Sequence, residues 1–303
     1  MNMIHLCPTD MKKFISEETG MKKVLLKDGT SIPAVGQGTW YMGEKRSQRS
    51  SEIESLRWGI ENGMNLLDTA EMYGDGASEE LVGEAIAPFR REDIFLVSKV
   101  YPWNAGRNHI FESCEDSLDR LGTDYLDLYL LHWRGGVPLR ETVQCMEELR
   151  QQGKILRWGV SNLDEEDMEE LNSVPGGENC QTDQVLYHLG SRGMEVNLQP
   201  WLRAHDIPVM AYCPLAQAGR LRSKMISDPV LKKVAEAHHA TVFQILLAFA
   251  VYENDVFAVP KAGTLRHVQD NRKAAEIELS GQEYEMLNKA FPKPARVRGL
   301  DMV

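Results

Sequence analysis

Asp68, Lys99 and His132 stand 31 and 33 residues apart, each at the close of an apolar run, and Tyr73 follows the first by five positions. A carboxylate, an amine, an imidazole and a phenol can share a site if the chain between them folds into repeating parallel units. A phenol, with a reference pKa of about 10, is a poor acid at neutral pH. A lysine cation beside it favours the phenolate and so lowers that pKa. Asp68 would hold Lys99 charged and oriented, and His132 would orient a carbonyl oxygen or relay a proton. Together they make a proton donor aimed at an oxygen that becomes negative, as in carbonyl reduction. No side chain of the set supplies a hydride, so the reading requires a cofactor.

Taken singly, each residue has an ordinary explanation. Asp68 before Thr69 fits a turn or cap, Lys99 a solvated strand end, His132 a satisfied core histidine, and Tyr73 beside Gly74 a loop aromatic. The shared spacing is what argues for chemistry, and it demands elements that set these positions side by side.

Those elements are legible. "KVLLKDGTSI" from Lys23 reads as a hairpin about an Asp-Gly turn. Eight strand-like segments follow: "PAVGQGTW", "MNLLDTA", "DIFLVSKV", "YLDLYLL", "ILRWGVSN", "QTDQVLY", "PVMAYCPL" and "VFAVPK". Helical patterns lie between them, such as Ile110, Phe111, Cys114, Leu118 and Leu121 before Gly122. Asp228-Pro229 and Thr241 read as helix starts. The strands are continuous apolar runs, which implies burial on both faces, as in a parallel sheet. Eight βα units predict one closed (β/α)8 barrel, the TIM-barrel architecture, with a short N-terminal β-hairpin and extra helices before and after strand 8. Chemistry in such a barrel sits at the strand ends, here Asp68, Lys99, His132, Asn162, Gln184, Tyr212 and Lys261.

Bulk properties narrow the class. A net charge of -11 with no basic run longer than two residues argues against nucleic-acid and anionic-membrane surfaces. The five scattered cysteines, Cys7, Cys114, Cys145, Cys180 and Cys213, include no C-x-x-C pair, so neither a disulfide framework nor a zinc site is expected, and the chain reads as cytoplasmic. No apolar stretch approaches the roughly 20 residues of a bilayer span. Residues 1–20 lack the apolar region of a signal peptide and read as a loose extension, with one domain over residues 21–303.

From about Lys23 onward the chain resembles the aldo-keto reductase family. The resemblance rests on "GQGTW", "DTAEMYG" with "SEELVGEAI", "LVSKV", "LDLYLLHW", "GKILRWGVSN", "QVLYH", "AYCPLAQAGRL" and "VPKAGTLRHVQDN". "GQGTWYMG", "SKVYPWNAG" and "YHLGSRG" look most like a bacterial branch acting on methylglyoxal and other small aldehydes. The resemblance implies carbonyl reduction by hydride from NAD(P)H, with Tyr73 as proton donor, Lys99 and Asp68 tuning it, and His132 orienting the carbonyl. It implies a nicotinamide site of Ser161, Asn162, Gln184 and Asp68, with Tyr212 stacking on the ring. Pro214, Leu215, Gln217 and Gly219 would cover the pyrophosphate, bordered by Gly38, Thr39 and Trp40. Lys261, Thr264, His267 and Asn271 would meet the adenosine end. Trp40, Trp103 and Trp133, with Tyr73 and His132, would wall the substrate pocket, and the family's habit is monomeric. No G-x-G-x-x-G fingerprint precedes a helix, as the resemblance leads one to expect.

Three features depart from the common pattern. Ala262 and His267 stand where serine and arginine are frequent, and imidazole cannot make the bidentate phosphate contacts of a guanidinium. The surround of Lys261, Thr264, Arg266 and His267 still favours NADPH, with NADH left open. Cys213 replaces a frequent serine and reads as a small buried residue rather than a reactive thiol. The tail after Phe291 is short, which predicts an open pocket. Rival readings are a cofactor-binding sensor with little turnover, a metal-dependent hydrolase and a Schiff-base aldolase built on Lys99. The hydrolase lacks an H-x-H or carboxylate-rich strand end, so no metal is expected. The aldolase leaves Tyr73, Asn162 and Tyr212 without a role.

Overall fold

The computed structural model describes residues 20–217, 220–297 and 299–302. The expected extension, Gly20 apart, and Gly219 of the expected pyrophosphate loop lie outside the described residues. The hairpin forms as read: β1 (Lys23–Leu25) pairs antiparallel with β2 (Ser31–Pro33), and Gly29 in the turn takes φ 85°.

Eight parallel strands follow, each pairing with its neighbour in chain order. They are β3 (Gln37–Gly38), β4 (Leu66–Asp68), β5 (Phe95–Val100), β6 (Leu128–Leu131), β7 (Trp158–Ser161), β8 (Asp183–Leu186), β9 (Val209–Tyr212) and β10 (Val256–Ala258). Parallel bridges Val35–Ala258 and Gly38–Lys261 join the last strand to the first. That seam explains Gly38: a Cβ there would lie 2.5 Å from the Val259 carbonyl oxygen. The barrel is therefore closed at a point where only glycine fits.

Helices α1 (Arg49–Glu61), α2 (Ala77–Ile86), α3 (Ile110–Leu121), α4 (Leu139–Gln151), α5 (Glu165–Ser173) and α6 (Leu198–Ala204) fill the first six crossovers. Between β9 and β10 lie α7 (Arg220–Ser227), α8 (Pro229–Ala237) and α9 (Val242–Ala250), with α10 (Leu265–Ala274) and α11 (Gly281–Ala290) after β10. These are the extra helices that the spacing predicts. Asp228 caps α8 through the Val230 and Leu231 amides, and Thr241 forms a capping box with Gln244. Every residue of β5, β6, β7 and β8 is buried. Burial on both faces is what the unbroken apolar runs required. On α3, Ile110, Cys114, Leu118 and Leu121 turn inward at helical spacing.

Among the described residues, no helix is long and apolar enough to cross a membrane, and no cluster of three or more His, Cys, Asp or Glu is placed to hold a metal. Cys114, Cys145, Cys180 and Cys213 are all free thiols.

Candidate active site

Strands β4, β5 and β6 are adjacent, so the residues at their C-terminal ends converge. Asp68 is the last residue of β4, Lys99 the penultimate residue of β5, and His132 follows β6 directly. Tyr73 lies on the loop between β4 and α2. Gly74, Asp75 and Gly76 take φ of 60°, 51° and 90° in succession, a left-handed run that turns the loop sharply after Tyr73. Glu71 in the same loop accepts the Tyr101 amide at 2.6 Å, pinning it to the β5–α3 connection.

Lys99 Nζ lies 2.7 Å from Asp68 Oδ1, donates to the Thr69 carbonyl at 2.7 Å and reaches Tyr73 Oη at 3.1 Å. All three side chains are buried. The Tyr73 ring meets the His132 ring edge-on, with centroids 5.8 Å apart. The four residues first picked out by type are thus one contiguous group.

The electrostatics differ from the expectation in one respect. Burial pushes the Tyr73 phenol well above its ordinary value, and the Asp68 carboxylate adds to the rise. Burial also lowers the Lys99 ammonium, against the opposing pull of Asp68. Desolvation therefore outweighs the lysine in the resting site, and Tyr73 waits protonated rather than half-ionised. The cation matters when the proton leaves: the phenolate would form 3.1 Å from Lys99 Nζ. His132 is lowered to about 2 by burial, with Lys99 adding, so it is a neutral imidazole at any working pH. A neutral imidazole at this position is suited to orient a carbonyl oxygen by hydrogen bonding.

Gln184 is the second residue of β8, not its end, and its amide donates to Asp68 Oδ1 at 2.9 Å. It therefore buttresses the carboxylate from across the barrel. Ser161 closes β7 and donates to the Gln184 carbonyl at 2.8 Å. Asn162, at φ 58°, donates to Ser161 Oγ at 3.1 Å and accepts the Tyr212 hydroxyl at 2.9 Å. Thr39 is wholly buried, and its hydroxyl donates to the Asp68 carbonyl at 2.9 Å. Expected at the cleft, Thr39 lies inside the wall and braces β4.

A cavity of 90 Å³ opens over the group, walled by Trp40, Tyr73, His132, Trp133, Tyr212 and Met302. Trp103 is outside it: 60% exposed, it stacks on Tyr101 with centroids 4.4 Å apart. The open pocket expected from a short tail is partly covered instead. Met302 reaches the cavity because Asp301 accepts a hydrogen bond from Ser191 Oγ and Arg192 holds the Phe291 carbonyl at 2.7 Å. Met72 also lines the cavity. A larger groove of 680 Å³ lies against the hairpin, lined by residues such as Ile32, Phe89 and Phe95. None of the chemical residues borders it, so size alone misplaces the site.

Within the cavity and beside it the donor set suits a dinucleotide. Ser161, Asn162 and Gln184 offer amides and a hydroxyl for a carboxamide. Pro214 is buried, Leu215 half-buried and Gln217 exposed on the loop after β9, where Cys213 and Ala216 take φ of 51° and 58°. Cys213 is half-buried and burial raises its thiol. Lys261, Thr264, Arg266 and His267 are exposed at the N-terminus of α10, which Thr264 caps. A helix N-terminus flanked by cations is a favourable phosphate site. One turn on, Asn271 is buried with its Nδ2 unpartnered among the described residues. A buried donor without an acceptor costs about 1–3 kcal/mol. An adenine-side acceptor would relieve it.

A barrel closed by eight parallel strands, with an Asp–Lys–Tyr–His group at their C-terminal ends, defines an oxidoreductase of the aldo-keto type. The chain belongs to the Aldo/keto reductase family, whose model matches residues 34–291. It is 56% identical to methylglyoxal reductase YeaE of Escherichia coli (strain K12) over 282 residues, which cover 93% of this chain and 99% of that protein. It is 31% identical to glyoxal reductase of Bacillus subtilis (strain 168) over 277 residues, covering 90% and 94%. Among solved structures, an aldo/keto reductase from Klebsiella pneumoniae in complex with NADP and acetate superposes with a TM-score of 0.90 at 53% identity, covering 93% of this chain and all of that one.

Proposed function

We propose that this protein reduces small aldehydes and ketones such as methylglyoxal to alcohols, with NADPH as reductant. The observation that carries the reading is a buried, protonated Tyr73 with Lys99 Nζ at 3.1 Å, facing a cavity of 90 Å³. The aromatic wall of Trp40 and Trp133, narrowed by Met302, suits a compact carbonyl compound, and the methylglyoxal and glyoxal reductases among the relatives support that class. NADPH, when bound, supplies the hydride. The chain's own residues do the rest. Neutral His132 orients the carbonyl oxygen, and that oxygen becomes anionic as the carbonyl carbon gains its hydride. The Tyr73 O–H bond then breaks, the proton passes to the oxygen, and Lys99 stabilises the phenolate left behind. Asp68, held by Gln184, keeps Lys99 aimed.

NADP or NADPH bound to relatives that are 53% identical supports the cofactor, as do Lys261, Arg266 and His267 at the α10 N-terminus. The reading places the protein in the cytoplasm as a monomer that engages neither nucleic acid nor membrane; the net charge of -11 speaks against anionic partners, and the four unpaired thiols among the described residues fit a reducing compartment. Following loss of NADPH absorbance on adding methylglyoxal tests it. Turnover is expected; a silent protein that still binds NADPH would favour a sensor instead.

A further inference from the structure

Lys99 faces Asp68 and Tyr73 inside the barrel, while its neighbour Ser98 points the other way, because side chains alternate along a strand. Behind Ser98 lies Glu79 of α2, a wholly buried glutamate with no place in the chemistry described above. One of its carboxylate oxygens accepts the Ser98 hydroxyl, and the other pairs with Arg120 Nε of α3 at 2.6 Å. The pair is asymmetric: the glutamate side chain is fully enclosed and the arginine side chain is 25% exposed. Water screens the cation more than the anion, so a net negative field reaches through the strand toward Lys99.

We propose that Glu79 is a positioning residue for the reaction, a second carboxylate that acts through the barrel wall to keep Lys99 the cation that Tyr73 needs. The ionisable groups around Lys99 are Asp68 from β4, Tyr73 from the β4–α2 loop, His132 from the end of β6 and Glu79 from α2. His132 is neutral and Tyr73 keeps its proton, which leaves two carboxylates, Asp68 paired with Lys99 and Glu79 paired with Arg120. Both act to raise an ammonium that burial depresses. One carboxylate inside the site orients the lysine; the one outside adds field without occupying space that substrate needs.

The inference rests on the carbonyl-reduction reading, so its test has two readouts. On the alkaline side the rate falls as Lys99 loses its proton, because burial lowers the Lys99 ammonium and raises the Tyr73 phenol. Removing the Glu79 charge makes Lys99 easier to deprotonate, so the alkaline limb of kcat/KM moves to lower pH. For Glu79→Gln we expect a move of about half a pH unit or more, the effect of a bare charge at an effective dielectric constant of about 20 being reduced by the opposing Arg120. Ser98→Ala keeps the charge and loses only the hydrogen bond, so its limb stays in place. If Glu79 merely held the helix to the strand, both variants would lose stability and neither limb would move selectively. In ¹⁵N-lysine-labelled protein, the Lys99 Nζ resonance, assigned by Lys99→Met, reads the same titration without turnover. Should Glu79→Gln fail to fold, Arg120→Gln serves: the carboxylate loses its counter-charge and the Lys99 midpoint rises. A Lys99 midpoint unchanged in Glu79→Gln, or moved as far by Ser98→Ala, overturns the proposal.

Discussion

Lys99 Nζ lies 3.1 Å from Tyr73 Oη, with both groups buried, and the same nitrogen lies 2.7 Å from Asp68 Oδ1. A phenol that burial holds protonated and a cation within hydrogen-bond reach form a donor whose conjugate base is stabilised only where it arises. Lys99→Met should therefore lower kcat by about 10²-fold or more, the loss seen on removing a donor to a developing oxyanion. NADPH affinity should stay near wild type, because Lys99 touches no residue of the α10 phosphate site. Steady-state kinetics beside a fluorescence titration of NADPH separates the two, and a parallel loss of binding would contradict the assignment.

Met302 narrows the cavity above Tyr73. Met302→Ala should raise kcat/KM for a bulkier dicarbonyl such as phenylglyoxal, relative to methylglyoxal, by about tenfold, within the range that a few methylenes contribute in an apolar pocket. Asp301→Asn weakens the Ser191 contact and should shift the ratio the same way by less. An unchanged ratio in Met302→Ala would show that the side chain does not limit substrate size.

His267 offers imidazole where a guanidinium could grip a phosphate twice. His267→Arg should tighten NADPH about three- to tenfold, near 1 kcal/mol, and leave NADH unchanged. Quenching of tryptophan fluorescence measures both constants. Equal gains for NADPH and NADH would mean that residue 267 does not face the 2'-phosphate.

His132 titrates near 2 in the folded state and near 6.5 when unfolded. Between those values the unfolded chain binds a proton that the native protein refuses, so the native state loses stability as pH falls below about 6.5. The slope is about 1.4 kcal/mol per pH unit for one such group. Urea unfolding at pH 7.5 and 5.0 should show a smaller drop in His132→Asn than in wild type. Equal drops would place the proton uptake elsewhere.

The sequence made the reacting group legible and its surroundings much less so. Asp68, Lys99 and His132 could be paired because the βα repeat imposes their spacing, and Tyr73 because it follows Asp68 within one loop. The hairpin, the eight strands and the Asp228 and Thr241 caps were equally local signals. Gln184 was placed at a strand end, yet it sits mid-strand with its amide on Asp68, a partner 116 residues away. Trp103 was assigned to the wall from the resemblance alone, but a loop sets its direction, and the loop lays it on Tyr101 and against the outer side of Trp133. Met302 carried no signal: its place depends on the Asp301–Ser191 contact, which joins segments far apart in the chain. The effect of burial on Tyr73 was likewise invisible, because desolvation is a property of the packed barrel rather than of neighbouring residues.

The central claim is that Tyr73 delivers the proton, and Tyr73→Phe tests it most directly. The variant removes one oxygen and leaves the ring against Trp40 and His132. With methylglyoxal and NADPH, consumption of NADPH should fall by about 10²–10⁴-fold, the span of a general acid, while NADPH binding holds. A Tyr73→Phe protein that turns over methylglyoxal within a few-fold of wild type would contradict the account.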